Sequence, residues 1–174
     1  MKIFIIGYRC VGKTTIGKQL AKTLNYPFLD TDQMVEKTIN TTISDFVEKN
    51  GWKAFRDVET SVLRGIQSKK KAVISTGGGI ILDQINRKII SEHGYAIWLK
   101  ADASTISDRL SKDERTADSR PQLTQKNLVD ETKEMLKLRE PLYKKSCKLS
   151  IDTDKNTVKN IVKMISRRLS DAGV

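Results

Sequence analysis

The first apolar stretch of the chain is short and does not alternate. Residues 2–6 are β-branched or aromatic after Lys2, which predicts a buried strand, and Gly7 stops it. The period then changes, with Ile16, Leu20 and Leu24 recurring every fourth position, so residues 13–24 predict a helix that turns one apolar stripe to a sheet. Around Pro27 a second short strand is expected at 26–29. Thr31 is placed to cap a helix through Met34 and Val35, with helix continuing to about Gln67. A third strand at 72–75 ends at Gly77, Gly78 and Gly79. A helix at 83–91, a fourth strand at 95–99 and a helix at 103–110 follow. Residues 126–145 read as helical with Leu128, Thr132, Met135 and Leu136 along one face. A fifth strand at 148–151 precedes a last amphipathic helix carrying Val158, Ile161, Val162, Ile165 and Leu169. Five strands separated by helices predict an α/β fold, a parallel sheet covered on both faces with right-handed crossovers and ligands at the carboxyl ends of the strands.

One segment breaks the alternation. Residues 111–126 are polar, contain Arg115, Arg120 and Pro121, and hold Leu123 as their one strongly apolar residue. A loop of that length between two helices suits a mobile lid. The 174 residues fit one domain, 1–174, and no apolar run reaches the roughly 18 residues of a membrane span. No signal peptide is visible after Met1 and Lys2, so a cytoplasmic location is expected. Two cysteines, Cys10 and Cys147, and one histidine exclude a disulfide framework and a zinc cluster.

Lys and Arg number 32 against 21 Asp and Glu, a formal charge of +11. Such an excess invites a nucleic-acid reading. Residues 1–87 carry 14 basic and 8 acidic groups and the remainder 18 and 13, so neither half is a basic tail. Small anionic ligands account for the charge equally well.

Gly7-Tyr8-Arg9-Cys10-Val11-Gly12-Lys13-Thr14 spells GxxxxGK[ST] between a predicted strand and a predicted helix, the context this phosphate-binding loop requires. Backbone N–H groups at a helix start surround phosphate oxygens, Lys13 meets the β- and γ-phosphates, and the Thr14 hydroxyl is a Mg²⁺ ligand. Thr15 either extends the polar rim or is an ordinary helix N-terminal residue. Cys10 is either a small buried filler or a thiol activated by the helix start and Lys13.

The acceptor side must come from other strand ends. Asp30 and Asp32 follow the second strand. They either serve a hydroxyl and a metal-bound water, or cap a helix and fill its first turn. Arg56 and Glu59 share a helical face at i, i+3, so the acid can hold the guanidinium as a fork for a carboxylate or phosphate. Gly77, Gly78 and Gly79 permit close backbone approach to a ligand. Arg115 and Arg120 in the lid, and Arg139 near Pro141, are candidates for phosphoryl or substrate charge. Trp52 and Trp98 read as core or pocket wall, and His93 as a helix-end residue. No aspartate ends the third strand, where Ser75 and Thr76 stand, so metal ligation falls to water and Asp30.

GxxxxGKT at 7–14, DxD at 30–32, FRxxE at 55–59, GGG at 77–79, RP at 120–121 and RxPLY at 139–143 together resemble the shikimate kinase family over nearly the whole chain. The resemblance implies a P-loop fold of the nucleoside-monophosphate-kinase type with strand order 2-3-1-4-5. It also implies ATP-dependent phosphorylation of the shikimate 3-hydroxyl on the way to chorismate and aromatic amino acids. Carried over, Arg56 and Arg139 hold the shikimate carboxylate, Asp32 is the base at the reacting hydroxyl, and the Gly78 and Gly79 backbone lines the pocket. Asp30 reaches Mg²⁺ through water, Arg120 touches the transferring phosphate, and Arg115 borders the adenine. The loop 154–157 lacks a proline often found in the family, and Cys10 stands where glycine is usual. ATP and shikimate are the expected partners, with neither nucleic acid nor membrane, and the enzyme is expected to be a monomer. Gluconate-type and nucleotide kinases share the fold class, and a basic nucleotide-dependent nucleic-acid-binding module is the alternative of another kind.

Overall fold

The side chains of the central strand β1 (Lys2–Ile6) divide between two cores, because successive residues of a strand point to opposite faces. Ile3 and Ile5 join Val73, Ile97, Leu99 and Ile151 under the helices α1 (Lys13–Leu24) and, at the chain end, α7 (Val158–Asp171). Phe4 and Ile6 join Ile74, Ala96 and Trp98 on the other face. The computed structural model describes residues 1–112 and 128–173. Most of the 111–126 segment, with Arg115, Arg120, Pro121 and Leu123, lies outside them.

The remaining elements are β2 (Phe28–Asp30), α2 (Thr31–Ile39), α3 (Ile43–Gly65), β3 (Ala72–Ser75), α4 (Gln84–His93), β4 (Gly94–Lys100), α5 (Ala103–Ser111), α6 (Leu128–Ser146) and β5 (Leu149–Asp152). All neighbouring strands pair in parallel, in the order β2-β3-β1-β4-β5. The chain thus forms the α/β fold with the 2-3-1-4-5 sheet expected above. That order sets β1 and β3 side by side, so the turns leaving their carboxyl ends, residues 7–12 and 76–79, face one another.

Several boundaries differ from the sequence reading. The second strand starts at Phe28 rather than at Tyr26. The cap of α2 is Asp30, not Thr31: its carboxylate accepts from the backbone N–H of Asp32 and Gln33, while Thr31 opens the helix. Both residue types cap well; β2 keeps Asp30 extended at φ −123°, which is the cap's conformation. The long helix expected up to Gln67 is two helices and a 3₁₀ turn at Ile66–Ser68, with α3 interrupted at Gly51.

The inward face of α6 follows the stripe read from sequence except at its first residue. Thr132 is buried and Met135 and Leu136 pack, half-buried, on the Tyr8, Ile106 and Leu110 cluster, whereas Leu128 is exposed. That face is also wider than the apolar stripe, since Glu131, Arg139 and Tyr143 are buried on it. Tyr143 joins the apolar core, while Arg139 lines a polar cleft.

Candidate functional site

The turn after β1 is built on backbone that side chains resist. Gly12 caps α1 at φ +96°, and a Cβ on Gly7 would stand 2.5 Å from the Leu99 carbonyl oxygen. Cys10 also lies in the left-handed region at φ +57°, at a cost of about 1 kcal/mol for an L-residue, which explains a preference for glycine there. Lys13 donates to the Tyr8 carbonyl at 2.6 Å, so its ammonium lies folded over the turn that would receive phosphate.

Thr14 leads from this turn to the next strand end. Its hydroxyl donates to Asp30 Oδ2 at 2.9 Å and lies 3.3 Å from Ser75 Oγ. Two hydroxyls and a carboxylate oxygen are a hard-oxygen set that fits Mg²⁺, which takes few protein ligands and completes its shell with water and substrate phosphate. Asp30 also caps α2, so one carboxylate both starts that helix and meets the Thr14 hydroxyl. Asp32 sits in the first turn of α2 and lines the acceptor cleft.

That cleft is lined by Arg9, Asp32, Trp52, Arg56, Glu59 and Arg139, with Ile43, Phe55 and Gly77 to Gly79. After the interruption at Gly51, α3 presents Trp52, Phe55, Arg56 and Glu59 in succession. The Arg56 guanidinium lies over the Phe55 and Trp52 rings, 4.9 and 5.5 Å from their centroids, and donates to Glu59 Oε2 at 2.6 Å. Glu59 is 1% exposed; burial pushes its carboxyl up from the ordinary value while Arg56 pulls it down, and burial prevails. Its Oε1 has no hydrogen-bond partner among the described residues.

The glycine turn is packed against these charges. A Cβ on Gly77 would meet Glu59 Oε1 at 2.5 Å and Asp32 Oδ1 at 2.7 Å, and one on Gly79 would meet Arg56 Nη2 at 2.2 Å. Gly78 gives its carbonyl to the Tyr143 hydroxyl at 2.5 Å and, at 3.4 Å, to Arg139. Burial raises the Tyr143 hydroxyl far above its usual range, so it stays a donor. Arg139, 7% exposed, stacks 5.4 Å from the Tyr8 ring and has no carboxylate within ion-pair distance among the described residues.

The structure therefore brings Asp32, Arg56, Gly77, Gly78, Gly79 and Arg139 into one cleft with Arg9 of the 7–14 turn, while Thr14 of that turn meets Asp30 at the end of β2. A family profile described as "Shikimate kinase" matches residues 9–170. The chain belongs to the shikimate kinase family. A "Shikimate kinase 2" of Photorhabdus laumondii is 45% identical over 141 residues, covering 81% of this chain and 80% of the relative. One of Yersinia enterocolitica is 38% identical over 172 residues, covering 99% and 97%. A solved shikimate kinase from Acinetobacter baumannii, in complex with shikimate, superposes with a TM-score of 0.91 at 31% identity, covering 98% of this chain and 93% of that one. As a shikimate kinase the chain is a phosphotransferase that uses ATP.

The side chains of the 7–14 turn go different ways. Arg9 lines the cleft and donates to Glu131 at 2.5 Å. Tyr8 is buried between Arg9 and Arg139, and Val11 lies in the apolar core. Cys10 packs beside Tyr8, Ile106 and Leu110. The 154–157 loop is ordered by Asp154, which accepts from the Asp102 backbone N–H at 2.6 Å and stands 3.6 Å from Arg109. Trp52 is cleft wall, while Trp98 is core, stacked on Tyr143. Arg115 and Arg120 fall outside the described residues. Glu131 and the hydroxyl of Tyr143 were not singled out from sequence. Their every-fourth spacing with Arg139 was the signal.

Proposed function

We propose that this cleft transfers the γ-phosphoryl group of ATP to the 3-hydroxyl of shikimate, with Arg139 and Arg56 holding the acceptor carboxylate. The supporting observation is Arg139: a buried guanidinium whose described partners are one long hydrogen bond, a thioether and an aromatic face. A buried cation is costly without an anion, and the acceptor's carboxylate supplies one. Arg56 is already oriented by Glu59, so its fork is preorganised.

Asp32 accepts the hydroxyl proton as the oxygen attacks phosphorus. The Gly78 and Gly79 backbone shapes the floor, where a side chain would displace Arg56. Residues 7–15 hold the nucleotide's phosphates, and Lys13 exchanges its bond to the Tyr8 carbonyl for a phosphate oxygen. Thr14 would hold Mg²⁺ directly and Asp30 through water; when bound, the ion neutralises charge that builds between the β- and γ-phosphates. Arg120 and Arg115, from the lid at 111–126, complete the phosphate and adenine contacts in this reading, and 31–67 forms the acceptor region of a single domain. The enzyme works as a monomer in the cytoplasm; no helix among the described residues is long and apolar enough to cross a membrane.

A coupled ADP-release assay across shikimate, gluconate and nucleoside monophosphates tests the reading, with and without chelation of Mg²⁺. Turnover confined to shikimate and abolished by chelation is expected. Activity restricted to gluconate or a nucleotide overturns it.

A further inference from the structure

Three guanidinium groups, those of Arg9, Arg56 and Arg139, line the acceptor cleft. Three like charges in one low-dielectric space repel strongly unless each is matched. Arg56 is matched by Glu59. Arg9 is matched by Glu131 at 2.5 Å, with the two side chains 9% and 2% exposed. Arg139 is left without a carboxylate among the described residues.

Arg9 and Arg139 flank the same ring, their guanidinium carbons 5.8 and 5.4 Å from the Tyr8 centroid. Glu131 and Arg139 belong to one every-fourth row of α6, with Met135 between them and Tyr143 beyond. The helix that supplies Arg139 thus also supplies the anion that pairs with Arg9. A buried ion pair of this kind is weak evidence of a stability role, since desolvation offsets most of its Coulombic gain.

The place of Arg9 gives the pair a different purpose. Its backbone nitrogen is 3.1 Å from where a Cβ on Gly78 would stand, so the main chain at Arg9 adjoins the acceptor loop, and the residue lines the cleft. In the kinase reading the transferred phosphoryl group ends in that cleft. An unmatched Arg9 would attract the phosphorylated product.

We propose that Glu131 is a specificity-determining residue of the acceptor cleft: by neutralising Arg9 it leaves Arg139 as the one cleft cation without a carboxylate among the described residues, to meet an acceptor with a single carboxylate, and keeps Arg9 from gripping the added phosphate. The proposal rests on the kinase reading above and concerns discrimination within it.

Trp52, on the cleft wall, gives a fluorescence signal for binding. Shikimate and shikimate 3-phosphate are titrated into the wild type, Glu131→Gln, Arg9→Gln, the Arg9→Gln/Glu131→Gln double variant, and Glu140→Gln, an exposed site on the same helix with the same charge change. Relative to shikimate, the product is expected to bind about tenfold more tightly to Glu131→Gln, the effect of one released charge a few ångströms from a dianion. The ratio falls below wild type in Arg9→Gln, returns to it in the double variant, and does not move in Glu140→Gln. A merely structural tether would weaken both ligands together in every variant that breaks it. A wild-type ratio in folded Glu131→Gln, or a double variant as displaced as Glu131→Gln, overturns the proposal. Where melting shows Glu131→Gln unfolded, Arg9→Gln and the double variant decide: a ratio in Arg9→Gln no lower than in the double variant overturns it. A wild type that neither binds nor phosphorylates shikimate removes the kinase reading itself, a result distinct from an unchanged ratio.

Discussion

Gly79→Ala isolates one contact. The backbone at Gly79 has φ −102° and ψ 1°, which alanine adopts, so the substitution introduces no main-chain strain. Its Cβ would lie 2.2 Å from Arg56 Nη2 and 2.7 Å from both Cζ and Nη1. Ordinary heavy-atom contact is about 3.5 Å, so the guanidinium must retreat by roughly 1 Å. The main chain need not move, because the displaced atoms are the tip of a flexible side chain that is 21% exposed. The 2.6 Å bond to Glu59, and with it the aim of the fork, does not survive. A hydrogen bond to a charged group is worth about 1.5–3 kcal/mol, which corresponds to a roughly 10- to 100-fold rise in the KM for shikimate. The KM for ATP stays at the wild-type value, while Tm falls by about 3–12 °C, because the folded protein loses the same bond of roughly 1.5–3 kcal/mol at the buried Glu59. Kinetics by ADP release with each substrate varied in turn, together with thermal melting, read all three quantities. On an Arg56→Ala background the same change should cost nothing further, since its target is gone. An unchanged shikimate KM in a folded Gly79→Ala variant, or an undiminished effect without Arg56, would refute the reasoning.

Asp32→Asn removes the proposed proton acceptor while keeping its shape. The expected result is a kcat lowered by about 10²- to 10⁴-fold with shikimate still bound, measured by kinetics beside Trp52 fluorescence; wild-type kcat excludes the role. Tyr143→Phe leaves the Gly78 carbonyl without its buried donor. It should lower Tm by about 2–6 °C, from about 1–1.5 kcal/mol at this size, and an unaltered melt contradicts the contact. Glu59→Gln tests the carboxyl that burial pushes up. Its folded value lies above the unfolded one, so its contribution to stability is complete below the ordinary value of 4.5 and drains away as pH rises through the folded value. The Tm of Glu59→Gln minus that of the wild type should therefore grow between pH 4 and pH 8, and a constant difference counts against the sign.

What the chain discloses before folding depends on how far apart the partners are. Lys13 and Thr14, Arg56 and Glu59, and the three glycines are each set within a few residues, so turn and helix geometry alone brings them together, and their spacing was readable. The Arg9–Glu131 pair spans 122 positions and the Tyr143–Gly78 bond spans 65. Neither exists until β1 and β3 lie side by side and α6 is laid over their ends, so no local pattern announces them. On α6 the apolar period located Thr132, Met135 and Leu136 on the inward side but gave no sign that Glu131 and Arg139 are buried there too. Periodicity arguments equate the buried face with the apolar one, and Arg139 is buried because it lines a cleft of fixed charges. A buried charge is costly without a counter-charge, and Arg139 has no carboxylate within ion-pair distance among the described residues, the observation on which its proposed hold on the acceptor rests.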